Sequence, residues 1–184
     1  VSLCLDGGFQ QRIHEAGGGD RLHHVEPATI SDPRHGDQRL FQEMCAADME
    51  SAERTFAALA QGEQSKVYND LQPIVQDAPD VHRVTLAWRA WDVMQLVGFD
   101  HAHTLLRQSV RYCVEQEQDR LKRNQPEPPL RKLTPRLLDD YKLLSQKTGS
   151  RRADCGWIEQ LAQTIFAGTR EQAAEAVAAA LAEG

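Results

Sequence analysis

Histidine is the residue type in this 184-residue chain whose distribution most suggests chemistry. His23 and His24 are adjacent in a stretch rich in glycine and proline. His101 and His103 lie where a helical pattern begins, with Arg107 one turn later. Imidazole binds metals and transfers protons near neutral pH. If the first stretch reaches the start of that helix, all five side chains form one discontinuous site.

The spacing of these histidines limits the metal chemistry that they can support. His101 and His103 are two positions apart, about 200° around a helix axis, so they point in different directions. They do not form the i, i+4 pair of helical zinc sites. One of the two could still contribute to a metal site that is completed by His23, His24 or His35. The candidate ligands are therefore His23, His24, His101 and His103, and no particular cofactor is implied. The ordinary alternative is that His103 packs or forms a hydrogen bond at the tip of a helical hairpin.

His82 begins the preceding helical pattern and does not join this site. A short turn connects the two patterns, so their helices run antiparallel and their starts lie at opposite ends. At about 1.5 Å per residue, those starts are roughly 20 Å or more apart. We expect His82 to lie near the end of the second helix, beside Glu115 or Gln118.

Composition excludes several classes of protein. A formal net charge of -6 disfavours nucleic-acid binding through phosphate groups. The sequence has no apolar run long enough to span a membrane, and it has no nucleotide-binding loop, catalytic triad or known metal motif. Four cysteines are far apart without a C-x-x-C pair, which favours free thiols in a reducing, cytoplasmic setting. A removed targeting segment remains compatible with these observations.

The elements that would position the histidines are two helices joined by a turn at Gly98, between Asp80 and Glu117. Gly98 supplies the positive φ that commonly ends a helix, and Asp100 is expected to cap the second helix. Helical spacing predicts an inward-facing apolar stripe on the first helix. That stripe consists of Val81, Val84, Ala87, Trp88, Trp91 and Met94.

Cap and breaker residues predict the other helices. Helix starts are expected at Asp37, Asp48, Asp154 and the pair Thr134-Pro135. Thr169 and Gln172 match a capping box. A helix over 65–71 is expected to end or kink at Pro73, which has no N–H and whose ring clashes with the preceding turn.

No segment alternates with a period of two, so the sequence predicts an all-α protein. We expect a bundle of antiparallel helical hairpins over residues 37–184 and an irregular N-terminal arm over residues 1–36. The arm is rich in glycine and proline, which interrupt regular secondary structure. The absence of an initial methionine suggests that the sequence is a fragment of a longer protein.

The segment VHRVTLAWRAWDVMQLVGFDHAHTLLRQSVRYC resembles helical segments of bacterial proteins of the questin oxidase-like group, which are all-helical and in which histidines begin helices. The resemblance implies an oxidation of the Baeyer–Villiger type that uses a reduced nicotinamide. It would involve His82, His101 and His103.

Two functions follow as expectations. The first is a helical interaction or scaffold module of a larger bacterial protein, which binds a protein partner or the remainder of its own chain through an exposed apolar or histidine-bearing face. The alternative is an oxidoreductase or metal-binding enzyme with a site between residues 22–36 and the hairpin tip at residues 98–107. For that alternative, His23 or His24 must lie close to His101 or His103 across a concave pocket.

Overall fold

The computed structural model describes residues 24–30, 32, 35–145, 147 and 149–184. This part of the chain contains eight helices and no strand, which confirms the all-α prediction. The helices are α1 (Gly36–Cys45), α2 (Met49–Leu59), α3 (Gln64–Gln76), α4 (Val81–Val97), α5 (Ala102–Lys122), α6 (Leu130–Asp140), α7 (Cys155–Ala167) and α8 (Arg170–Glu183). Residues 1–23 of the predicted arm lie outside the described residues, and residues 24–30 are neither helix nor strand.

Helices α1 to α5 surround one apolar core, and α5 contacts all four of the others. The largest fully buried apolar side chains are Phe56, Leu40, Met44, Leu71, Ile74, Met94 and Leu106. Each contributes roughly 1.5–3 kcal/mol through its removal from water. On α5, the buried face includes Ala102, Leu106, Ser109, Val110 and Cys113, and Leu105 is partly buried against the core.

Helices α6 to α8 form a smaller cluster. Leu133 and Leu137 of α6 pack with Ala178 of α8, and α7 contacts α8 on its other side. Helix α6 also contacts α3, and this contact joins the small cluster to the larger core. The sequence therefore forms antiparallel hairpins as predicted, with α4–α5 and α7–α8 as the clearest pairs.

Four predicted helix starts have the expected caps. Asp48 accepts a hydrogen bond from the Ser51 backbone N–H, and Asp154 accepts one from that of Trp157. Asp80 accepts from two backbone N–H groups at the start of α4. Thr169 and Gln172 form the reciprocal capping box of α8. Each cap contributes about 1 kcal/mol.

Two predicted caps are wrong. Helix α1 begins at Gly36 rather than after Asp37, and Leu59 packs so closely on Gly36 that a side chain there would collide with it. Asp37 lies in the first turn instead, where its negative charge interacts favourably with the positive end of the helix dipole. Helix α5 begins after His101, which makes no side-chain capping bond, and Asp100 precedes it.

Pro73 does not end its helix, and Pro135 does not begin one. Helix α3 continues through Pro73 to Gln76, because Ile74 and Val75 are both buried in the core. Their burial, roughly 1.5–3 kcal/mol each, offsets the cost of about 3 kcal/mol for an interior proline. Helix α6 likewise begins at Leu130 and includes Pro135, so the predicted start at Thr134-Pro135 is also wrong.

The apolar stripe predicted for α4 is only partly buried. Ala87 and Met94 are buried as predicted, but the buried face also includes Arg83 and Ala90. The helix is rotated relative to this prediction, and in the observed orientation the Arg83 guanidinium donates to the Ile74 carbonyl oxygen at 2.8 Å in the interior. Three residues of the predicted stripe are consequently exposed, namely Val81, Val84 and Trp88. Trp91 is half-buried and its ring contacts those of Tyr68 and Phe99.

The described cysteines are free thiols, as expected from their spacing. Cys45 is half-buried, Cys113 is buried and Cys155 is exposed. Burial raises the pKa of the Cys113 thiol to about 12, so this side chain remains protonated and packs as a small apolar group. No helix among the described residues is both long and apolar enough to cross a membrane.

Candidate functional site

The segment over residues 24–30 crosses the surface formed by α2 and α5. The Ala28 backbone N–H donates to the Arg54 carbonyl oxygen at 2.9 Å, and the Arg39 guanidinium donates to the Thr29 carbonyl oxygen at 3.0 Å. Val25 is buried. These contacts hold the segment against the helices and leave a concave surface on each side of its first residues.

We call the first of these surfaces the His103 groove. It has a volume of about 530 Å³ and is lined by residues of the segment, of the end of α2 and of the first turns of α5. The lining residues are His24, Val25, Pro27, Ala57, Ala60, Gln61, His103, Thr104 and Arg107.

The structure brings together three of the five predicted site residues. His24, His103 and Arg107 all line the His103 groove. His101 is exposed and does not line it, while His23 lies outside the described residues. His82 is separate from these residues as expected, although its ring contacts Tyr112, at 5.6 Å between centroids, rather than Glu115 or Gln118.

His103 is the least ordinary of these side chains. Its Nε2 atom is buried and has no hydrogen-bond partner among the described residues. The ring lies parallel to that of Phe56, with centroids 6.0 Å apart. Burial lowers the pKa of His103, and the nearby Arg107 guanidinium lowers it further. His103 is therefore neutral at pH 7 and can either donate or accept a hydrogen bond through Nε2.

A buried charge cluster lies next to the groove. Glu53 Oε1 accepts from Arg107 Nε at 2.6 Å and from Arg111 Nη1 at 2.8 Å. The Glu53 and Arg107 side chains are only 4% and 3% exposed. Burial raises the pKa of Glu53, but the hydrogen bonds and charges of the two arginines outweigh it, so the net pKa lies below its ordinary value.

A second buried cluster joins α6 to the larger core. Arg131 donates to both carboxylate oxygens of Asp77, at 2.7 and 3.0 Å, and to Glu117 at 3.0 Å. Arg120 donates two further bonds to Glu117. Burial raises the pKa of Glu117, yet the hydrogen bonds from Arg120 and Arg131 bring the net value below the ordinary one.

Sequence reasoning missed both clusters. The sequence signal for a buried charge is a charged residue that lies three or four positions from apolar residues of the inward-facing side of a helix. Glu53 lies three positions before Phe56, and Arg107 lies three positions before Val110. Such a residue usually faces solvent, so the pattern indicates a buried pair only when the partner is known.

No group of three or more histidine, cysteine, aspartate or glutamate side chains within the described part of the chain is arranged to hold a metal ion. Of the four predicted ligands, only His24 and His103 share the His103 groove. The metal site therefore stays a prediction, and it depends on His23.

Comparison with known proteins finds no match for this chain among protein-family models, curated proteins or solved structures.

The lowered pKa of His103 has a measurable consequence. The ordinary value is 6.5, and the unfolded chain takes up this proton at a higher pH than the folded chain. The His103 contribution to stability is therefore complete above pH 6.5 and decreases as the pH falls below it. We expect an NMR titration of the ring, assigned with a His103→Gln variant, to give a midpoint below 6.5. A midpoint of 6.5 or above would show that the ring is not desolvated.

Proposed function

We propose that this chain is a helical interaction module whose α7–α8 hairpin binds an apolar helix of a protein partner or of a larger chain. The observation that supports this most directly is that no residue of α7 is fully buried, although one side of the helix contacts α8. Its Phe166 side chain is 89% exposed. A helix this apolar normally acquires its stability by packing one face against another element.

Four of the exposed apolar residues of the hairpin lie on one side of it, while Phe166 is about 100° around α7 from Ile165. On α7, Ile158 and Ile165 are seven positions apart and so share a face. On α8, Val177 and Leu181 are four positions apart, and helix geometry places them on the same side of the antiparallel pair. All four are exposed. We call them the hairpin face.

The opposite side of the hairpin carries hydrogen-bonding side chains beside the alanines of α8. It includes Thr164, Glu171 and Glu175, and Tyr141 donates a hydrogen bond to Glu175 at 2.8 Å. This asymmetry favours an occupant that covers the hairpin face only. Because Glu159 is the only charged residue of α7, the proposed occupant is an amphipathic helix with an uncharged aliphatic stripe.

A direct test uses a synthetic amphipathic peptide of about three heptads with leucine at the a and d positions. We expect the wild-type chain to bind it with a micromolar Kd in fluorescence anisotropy. The double substitution Ile165→Glu/Leu181→Glu should weaken binding at least tenfold, about 1.4 kcal/mol, because it places charge in an apolar interface.

Gln163→Glu is a control for added charge, since it places one negative charge at an exposed position of α7 on another face; Ile165→Glu alone is the single-charge variant to compare with it. Concentration-dependent dimerisation that the double substitution abolishes would identify the partner helix as a second copy. If the wild type neither binds the peptide nor departs from a monomer in sedimentation at tens of micromolar, the interaction module is contradicted.

The second candidate function is an enzyme, and a specific observation favours it. His24, His103 and Arg107 line one groove whose volume suits a small molecule. For the oxidoreductase implied by the questin oxidase-like resemblance, the test is consumption of reduced nicotinamide in the presence of an aromatic ketone. An unchanged rate in His103→Ala would rule out this groove as the site of that reaction.

A further inference from the structure

We propose that the His103 groove binds a small organic carboxylate with a short apolar chain. This inference depends on neither candidate function above, because a ligand can occupy the groove whether or not a reaction follows. It is carried by the polar groups at one part of the groove, the apolar groups at another, and the position of one unpartnered imidazole nitrogen.

The polar lining favours an anion over a cation. Among the described residues that line the groove there is no carboxylate, whereas His24, His103 and Arg107 supply two imidazoles and a guanidinium. The nearest carboxylates are each paired with a basic residue of this lining. Glu53 accepts hydrogen bonds from Arg107 and from Arg111, and Glu26 forms an exposed pair with His24 at 3.1 Å. The donor left for a ligand is therefore the His103 ring rather than an unpaired cation.

The His103 Nε2 atom gives the ligand a specific partner. It is buried without a hydrogen-bond partner among the described residues, although its residue lines the groove. In the tautomer that carries hydrogen on Nε2, the neutral ring donates to an acceptor. A carboxylate oxygen is such an acceptor, and the adjacent Thr104 hydroxyl and Gln61 amide can donate to the same ligand.

The remaining wall of the groove is apolar. Val25 and Pro27 form it on the side of the segment, and Ala57 and Ala60 form it on the side of α2. Aliphatic carbons in contact with this wall lose contact with water, which favours binding. A volume of about 530 Å³ admits a chain of several carbons. Inorganic phosphate lacks such a chain and would leave this wall uncovered.

The experiment is a titration of the wild-type chain with butyrate, inorganic phosphate and n-butylammonium, followed by NMR of the backbone and histidine rings. We expect butyrate to bind with a millimolar Kd and to shift the His103 and Thr104 resonances. Phosphate should bind at least tenfold more weakly, and n-butylammonium should not bind.

Substitutions then locate the site. His103→Ala should weaken butyrate binding at least tenfold, and His101→Ala should leave it unchanged because His101 is exposed outside the groove. Thr104→Val preserves shape at an exposed position, so it should weaken binding severalfold even if His103→Ala fails to fold. Equal binding of n-butylammonium or phosphate, an equal loss in His101→Ala, no effect of Thr104→Val, or no butyrate binding at all would each overturn the proposal.

Discussion

Arg131→Ala is expected to lower the free energy of unfolding by about 3–5 kcal/mol, because it leaves two buried carboxylates without their shared partner. Asp77 loses both of its hydrogen bonds from Arg131, and Glu117 loses one of its three. The Asp77 and Glu117 side chains are 0% and 1% exposed, so water cannot replace the lost donors without local opening.

Chemical denaturation monitored by circular dichroism measures this loss. The matched control is Lys132→Ala at the next position, whose side chain is 84% exposed and pairs with Glu127 on the surface. It should change stability by less than about 0.5 kcal/mol. Arg131 also connects α6 to α3 and α5, so α6 should lose hydrogen-exchange protection more than α2 does. Equal effects of Arg131→Ala and Lys132→Ala would mean that the cluster does not stabilise the fold.

Glu53→Ala is expected to have the second large effect, a loss of about 3–5 kcal/mol. Glu53 is the carboxylate to which Arg107 and Arg111 both donate. Its removal leaves the positive charges of both arginines in the interior without this counter-ion. Glu50→Ala, one turn earlier, is the control. The Glu50 side chain is 85% exposed and lies 3.8 Å from Arg54, a pair of little value.

The pH dependence distinguishes a lost charge pair from lost packing. The net pKa of Glu53 lies below its ordinary value of 4.5, so its ionised form contributes fully above pH 4.5. That contribution decreases as the pH falls through the lower folded-state pKa. The difference in stability between the wild type and Glu53→Ala should therefore shrink below pH 4.5. A difference that is constant from pH 7 to pH 3 would attribute the loss to packing alone.

Much of the secondary structure could be predicted because the signals that begin helices are local. Asp48, Asp154 and Thr169 each accept a hydrogen bond from the backbone N–H three residues later, so a short window of sequence contains the whole interaction. The same holds for Gly98, where the backbone has a φ of 88°. These three caps and the turn at Gly98 could therefore be predicted without knowledge of the rest of the chain.

Local signals failed where burial of distant residues outweighed them. Pro73 predicts a helix end, yet Ile74 and Val75 continue the helix because the core accepts them. The orientation of α4 could not be predicted from its apolar spacing alone. Arg83 is buried because the Ile74 carbonyl receives its hydrogen bond, and Trp88 is consequently 55% exposed.

The sequence by itself determined the helical class and the helix starts at Asp48, Asp154 and Thr169, because residue type and local spacing contain that information. It also suggested His24, His103 and Arg107 as candidate site residues. Only the tertiary structure decided that these three share a groove and that His101 does not. It also decided which charges are buried. Glu53 and Arg107 are 54 positions apart, as are Asp77 and Arg131. Pairs at that separation depend on how helices pack, and no local pattern specifies helix packing.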